Sequence, residues 1–221
     1  TEPQYPSKVG ETLARETGAT SVHWNRLYEP AAVARDTVVK SALAEHGIHA
    51  TSSNGSLLFE PWTVRTGSGD PYRVFTPFWR TCMAMAGEVA PPRAAPRRLG
   101  GGGHRPTGIP LEDLGLLPQV RWDAGLGEAW KPGEAGAAKA LAAFTRSAIA
   151  AYGQDRNRPD LAGTSRLSPY LHFGELSPRQ ALAAARQAAP GGSSGAEAFI
   201  RELGWREFAH HLLYHYPHTT D

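Results

Sequence analysis

A stretch rich in Pro and Gly near the middle of the chain sets the first limit on the fold. Eleven of the 25 residues from 86 to 110 are Pro or Gly, including four consecutive Gly residues at 100–103. Pro removes a backbone donor and Gly loses the most conformational freedom on ordering, so a packed helix or strand is excluded here. The sequence therefore predicts two folded parts joined by a linker over residues 86–131.

The residues before the linker carry an α/β pattern. Apolar and polar side chains alternate from Ala19 to Trp24, which is typical of a short strand. Pro30 suits the first position of a helix that continues to Glu45, and a second short strand is predicted over 49–52. We expect residues 1–85 to form an α/β domain with part of a Rossmann-like parallel sheet.

The residues from 132 to 221 are predicted to be all-helical and to form one part of an incomplete helical domain. Polar residues next to Pro or ahead of Glu are typical of helix starts. Three such starts are predicted here, at Ser168 with Pro169, Ser177 with Pro178, and Ser194 with Glu197, and a fourth, Thr76 with Pro77, is predicted in the α/β part.

Bulk properties restrict the environment but not the chemistry. Hydrophobic residues make up 41% of the chain, which is enough for a core, and the formal net charge is only +2. The single cysteine, Cys82, rules out an internal disulfide and fits a reducing compartment. We therefore expect a cytoplasmic monomer without a membrane segment, since no apolar run reaches transmembrane length.

Residues 163–171 concentrate groups that bind phosphate. The hydroxyls of Thr164, Ser165 and Ser168 accompany Arg166 at a predicted helix start, where backbone N–H groups are free. A helix cap beside a surface arginine is the structural alternative.

A second group of residues lies on the last predicted helix. Glu202, Trp205 and Arg206 are spaced to share one face, which we expect to be exposed so that the Trp205 indole is not fully buried, whereas Phe199 and Leu203 can fill the core. A carboxylate, an indole and a guanidinium together suit a flat ring with polar edges. The alternative is a surface ion pair beside a packed tryptophan.

Metal binding is a third hypothesis for the same helix. Glu207, His211 and His215 follow one another at intervals of four, which places three ligand types on one stripe. There is no H-E-x-x-H pattern and no evident fourth ligand, so we expect no metal site.

Together, the two motifs resemble the DNA photolyase/cryptochrome family, and within it the cyclobutane pyrimidine dimer photolyases. The segments Trp24-Asn25-Arg26 and Tyr72-Arg73-Val74-Phe75-Thr76-Pro77-Phe78-Trp79 resemble the family's α/β domain. The resemblance implies a helical domain that binds FAD. The FAD contacts that it implies are Tyr152, Thr164, Ser165, Arg166, Leu167, Ser168, Phe199 and Arg206.

The same resemblance implies DNA containing pyrimidine dimers as the partner. Trp205 matches the indole that stacks on the dimer and Glu202 the carboxylate that binds its bases; we take both as catalytic. Arg156 matches a phosphate contact, and Arg206 lies between DNA and flavin. Photolyases are an established example of enzymes that extrude their target bases.

Three functions remain open. The first is light-dependent dimer repair by electron transfer from reduced FAD, the second a cryptochrome photoreceptor without repair, and the third a non-enzymatic DNA-binding fragment. The last is supported by four arginines in the linker, Arg93, Arg97, Arg98 and Arg105. The resemblance also implies an antenna chromophore, a folate or deazaflavin. The family's electron-relay tryptophans match no residue here, so we expect a piece of a longer protein that is inactive alone.

Overall fold

A computed structural model of the protein describes residues 5–88, 94, 96–98 and 108–220. Contacts divide the chain into two compact units. The first unit comprises Thr1–Arg26, Ala31–Ser53 and Ala94–Lys131. The second unit comprises Leu27–Pro30, Asn54–Arg93 and Pro132–Asp221.

The helices and strands follow one another in an α/β order and then a helical order, as the sequence predicts. The first part contains α1 (Tyr5–Thr17), β1 (Ser21–Asn25), α2 (Pro30–Glu45), β2 (His49–Ser53) and α3 (Phe75–Met85). The later part contains α4 (Ala124–Ala129), α5 (Glu134–Ser147), α6 (Tyr152–Asp155), α7 (Ser168–His172), α8 (Pro178–Ala188) and α9 (Ser194–His215). Short 3-10 turns lie at Pro61–Thr63, Ala86–Glu88, Leu111–Leu114 and Pro217–Thr220.

The first unit is built on a parallel pair of strands. β1 and β2 run in register from Ser21 opposite His49 to Asn25 opposite Ser53. Parallel neighbours need a crossover, and α2 supplies it between the two strands. Gly47 follows α2 with a φ of 72°, a left-handed conformation that ends the helix at little cost. The predicted parallel α/β arrangement is confirmed.

The second unit is organised around α9, the longest helix that the structure describes. Its 22 residues pack against α3, α6 and α8. Two glycines allow the closest approaches: a Cβ on Gly195 would lie 2.1 Å from the carbonyl oxygen of Ile149, and one on Gly204 would lie 2.5 Å from the ring of Trp79. Both positions therefore require glycine for packing rather than for backbone conformation.

The predicted helix starts are confirmed at one site and wrong at the others. Ser177 caps α8 in a complete capping box with Gln180. α3 begins at Phe75, one residue before Thr76, and α7 follows Leu167, so Ser168 is its first residue rather than its cap. Ser193, not Ser194, caps α9 by accepting from the Ala196 N–H at 3.2 Å.

Part of the predicted linker, residues 89–93, 95 and 99–107, lies outside the described residues. Residues 94, 96–98 and 108–110 have no regular secondary structure and are exposed, while Ala124–Ala129 forms a short helix within the 86–131 range. Contacts group residues 54–93 with the helical residues from 132 onward. The domain boundaries at 85 and 132 stay a prediction.

Crossing a membrane requires a helix of sufficient length and hydropathy. Within the described parts of the chain, no helix meets both conditions.

Candidate functional site

α9 presents different side chains on its two sides. Phe199 and Leu203 are each only 3% exposed, which confirms their predicted place in the core. Ser194, Ala198, Arg201, Glu202 and Trp205 lie along the other side and line a cavity. The helix thus supplies both the core of the second unit and one wall of the cavity.

The cavity has a volume of about 850 Å³ and combines charged and aromatic walls. Besides the residues of α9, its walls come from α3, from α6 and the residues that follow it, and from α8. Those residues include Trp79, Met83, Gly153, Arg156, Asn157 and Arg186. No pattern in the sequence predicts a role for Trp79, Arg186 or Arg201, because nothing along the chain indicates that α3 and α8 meet α9 here. This volume is in the range of small-ligand pockets.

Arg156 and Glu202 form an ion pair at this cavity. The guanidinium Nη1 donates to the Glu202 Oε1, and both side chains are about one-third exposed. This hydrogen bond is the main reason that the pKa of Arg156 is raised. The structure thus brings together two predicted DNA-contacting residues that lie 46 residues apart in the sequence.

Trp205 lies at the same cavity with 46% of its surface exposed. That exposure agrees with the expectation that its indole is not sealed in the core. Its ring stacks on Phe75, with ring centroids 3.7 Å apart and planes only 8° from parallel. An indole supported in this way can offer flat surface to a base or another ring.

Arg206 does not share the exposed face that was predicted for it with Glu202 and Trp205. Its guanidinium turns instead toward backbone carbonyls, donating to the Ser56 oxygen and, at 3.5 Å, to the Leu171 oxygen. Burial lowers the pKa of its guanidinium. Helical spacing alone places Arg206 beside Glu202 and Trp205, but hydrogen bonds to carbonyl groups distant in the sequence determine where its guanidinium points. The expectation of one common face is therefore wrong for this residue.

Residues 164–168 form a loop that leads into α7, as the phosphate motif predicts. Leu167 is buried and anchors the loop, while Thr164, Arg166 and Ser168 are exposed. Arg166 has a φ of 53°, an uncommon left-handed conformation for a residue with a side chain. Gly163 holds the loop against α6, since a Cβ there would lie 2.5 Å from Asp155.

Tyr152 and Phe199, both predicted to contact flavin, lie in an aromatic cluster with Phe144. The Tyr152 ring meets Phe199 edge-on with centroids 5.6 Å apart, and the two side chains are 8% and 3% exposed. Burial is the main cause that raises the pKa of the Tyr152 hydroxyl. Neither Tyr152 nor the loop at 164–168 is among the residues that line the cavity.

The side chains considered as metal ligands bind the backbone of residues 58–72 instead. Glu207 Oε2 accepts the N–H groups of Leu58 and Phe59 at 2.9 and 3.2 Å. His211 Nε2 accepts the Tyr72 N–H at 3.0 Å, and His215 donates to the Pro61 oxygen at 3.1 Å. Burial lowers the pKa of His211 to about 4, so its ring is neutral at pH 7. In the described regions no three His, Cys, Asp or Glu side chains are grouped to hold a metal.

Comparison with known proteins identifies the family. The DNA photolyase family profile matches residues 3–97. A deoxyribodipyrimidine photo-lyase of Agrobacterium fabrum is 39% identical over 95% of this chain and 44% of its own length. Cryptochrome-2 of Arabidopsis thaliana is 34% identical over 94% of this chain and 36% of its own length.

A solved structure supports the same assignment. The class III photolyase from Agrobacterium tumefaciens aligns with a TM-score of 0.89 and 37% identity, over 96% of this chain and 44% of that one. The chain thus spans less than half the length of these relatives. It belongs to the DNA photolyase/cryptochrome family.

The buried Glu207 carboxyl predicts a specific pH dependence of stability. Burial raises its pKa from 4.5 to about 7. The backbone N–H groups of Leu58 and Phe59 and the charges of Arg206 and Arg179 lower the pKa, but by less than burial raises it. Between those pH values the folded state keeps a proton that the unfolded state has lost, so stability falls as pH rises. Relative to Glu207→Gln, the wild-type free energy of unfolding should fall by about 3 kcal/mol from pH 4.5 to pH 7.

Chemical denaturation of both proteins across this range measures that difference. The glutamine variant keeps an oxygen acceptor for Leu58 and Phe59 and cannot ionise, so other titrating groups, His211 included, cancel in the comparison. Parallel stability curves for the two proteins would contradict the assigned burial.

Proposed function

We propose that the intact protein repairs cyclobutane pyrimidine dimers in DNA under light, using electron transfer from bound, reduced FAD. The DNA photolyase/cryptochrome family includes both repair enzymes and cryptochromes, so the choice of repair rests on the cavity. The observation that carries it is the meeting of a half-exposed indole, Trp205, with the Arg156–Glu202 pair in one cavity of about 850 Å³.

Each side chain has a separate role in the proposal. Trp205 offers an apolar surface on which an extruded dimer can stack, and a stacked base is worth about 1–3 kcal/mol. Glu202 accepts hydrogen bonds from the N–H groups of the pyrimidine edges. Arg156, paired with Glu202, keeps that carboxylate oriented and can contact a phosphate at the cavity edge.

The residues present fit the phosphate end of FAD. The loop at 164–168 exposes Thr164, Arg166 and Ser168, and it leads into the start of α7. These groups would hold the diphosphate, and Leu167 would keep the loop in place. When bound, reduced FAD supplies the electron that splits the dimer. The antenna chromophore belongs to the proposal without an assigned residue.

Other proposed flavin contacts act less directly. Tyr152 and Phe199 pack with Phe144, so we propose that they support the helices beside the flavin rather than present an open ring. Arg206 donates a hydrogen bond to the backbone oxygen of Leu171 in α7 and would thereby help to orient that helix.

A cryptochrome-type photoreceptor is the second candidate. Cryptochrome-2 of Arabidopsis thaliana is 34% identical, and that similarity favours light sensing without repair. The two candidates share the flavin and differ in whether the cavity binds a dimer.

The first prediction concerns FAD retention. In the intact protein, Arg166→Ala should weaken FAD binding by about 1.5–3 kcal/mol, which is the usual contribution of a charge-assisted hydrogen bond. The measurement is flavin content per protein chain and a dissociation constant from fluorescence. Arg158→Ala is the matched control, because Arg158 lies in the same region and pairs with Asp160 in solvent. Equal flavin affinity in the Arg166→Ala and control proteins would count against the loop assignment.

The second prediction concerns lesion recognition. Trp205→Ala should weaken binding of dimer-containing DNA by about 1–3 kcal/mol and change binding of undamaged DNA much less. Trp122→Ala is the control, since Trp122 is 73% exposed and does not line the cavity. Arg156→Ala should weaken binding of both DNAs and reduce the slope of log affinity against log salt by about 1.

Titrations with matched damaged and undamaged oligonucleotides at several salt concentrations measure all three variants. An equal loss for both DNAs in Trp205→Ala would remove the lesion-stacking role. A salt slope unchanged by Arg156→Ala would remove the phosphate contact.

A further inference from the structure

One face of the Trp205 indole is already covered by a side chain from another helix. Phe75, the first residue of α3, stacks on it with centroids 3.7 Å apart and planes 8° from parallel. Phe75 itself is only 5% exposed, whereas Trp205 is 46% exposed. The stack therefore consists of a buried ring, Phe75, and a partly exposed ring, Trp205, and Trp205 lines the cavity.

Phe75 is itself held in place by other aromatic rings. Phe208 meets it edge-on at 5.9 Å, and Trp79 lies nearly parallel to it, with centroids 6.2 Å apart and planes at 11°. The Trp79 ring presses on the backbone of α9 at Gly204, where any Cβ would lie 2.5 Å from it. Gly204 and Trp79 thus set the distance between α3 and α9 at the point where Phe75 meets Trp205.

We propose that Phe75 is a positioning residue that fixes the plane of Trp205 for dimer stacking. A free indole must lose rotamer freedom when it binds a base, and that loss reduces the affinity. A ring stacked on a buried phenyl has already lost most of that freedom. This inference rests on the proposed function, because it assigns Phe75 a part in recognising the same dimer.

Substitutions of Phe75 can distinguish a positioning role from one in which the side chain merely fills space. Leu at position 75 would keep an apolar side chain but lose the flat face, whereas Tyr would keep the ring. A packing role alone would make stability depend on residue 75 but would leave discrimination between damaged and undamaged DNA unaffected.

The experiment measures a selectivity ratio in the intact protein. Dissociation constants are determined for a single-stranded oligonucleotide with one thymine dimer and for the same strand undamaged. Their ratio does not depend on the fraction of protein that is folded. The variants are Phe75→Leu, Phe75→Tyr, Trp205→Ala and the Phe75→Leu/Trp205→Ala double variant.

Phe75→Leu should lower the selectivity by about 2- to 10-fold, the range expected for the loss of one aromatic pair. Phe75→Tyr should keep it within about 2-fold of wild type. In the double variant, the Phe75 change should add nothing to the Trp205→Ala loss, because its effect is exerted through the indole.

Wild-type selectivity in Phe75→Leu, failure of Phe75→Tyr to retain it, or additive losses in the double variant would overturn the positioning role. In each of these cases a selectivity loss in Trp205→Ala would leave the proposed function standing. Wild-type selectivity in Trp205→Ala would overturn the proposed function and, with it, this inference.

Discussion

Glu207 is buried inside the second unit. Its carboxyl group accepts hydrogen bonds from the backbone N–H groups of Leu58 and Phe59, which lie 149 and 148 positions earlier in the chain. A carboxyl group in such a place is costly unless it is hydrogen-bonded, so the contact strongly restricts how α9 can dock. Arg206, His211 and His215 extend the same attachment to Ser56, Tyr72 and Pro61. Three consecutive turns of α9 thereby fix the segment that runs from β2 to α3.

The candidate site depends on this attachment. Because one side of α9 is hydrogen-bonded to the backbone of residues 56–72, only the opposite side of the helix can face the cavity. The same docking brings α3 beside α9, so that Phe75 meets Trp205 and Trp79 reaches the cavity. The ion pair between Glu202 and Arg156 then joins α9 to the residues that follow α6.

The sequence predicts those parts of the fold that depend on local rules. The bounds of α2, Pro30–Glu45, follow from a proline at the start and Gly47 after the end, and the first short strand follows from alternation. No sequence pattern predicts α1, and the capping pattern favours Ser194, which has Glu197 three residues later, over the observed cap Ser193. Local patterns leave such one-residue choices open.

The candidate site was predictable in part. Helical spacing places Glu202 and Trp205 together, but it cannot show that Arg206 has carbonyl acceptors on Ser56 and Leu171. Spacing also favours a metal stripe at Glu207, His211 and His215, whose true partners are backbone groups far away in the sequence. The roles of Trp79 and Phe75 arise only from tertiary contact, for which no signal along the chain exists.

The most direct test of the central claim, that this cavity serves dimer repair, is a photorepair assay on the intact protein. Protein with chemically reduced FAD is mixed with excess dimer-containing single-stranded DNA, and intact thymines are counted after blue light and after darkness. Multiple turnovers of repair are expected in light and none in darkness. Flavin that is bound and light-responsive while the dimers persist would contradict repair and favour the photoreceptor.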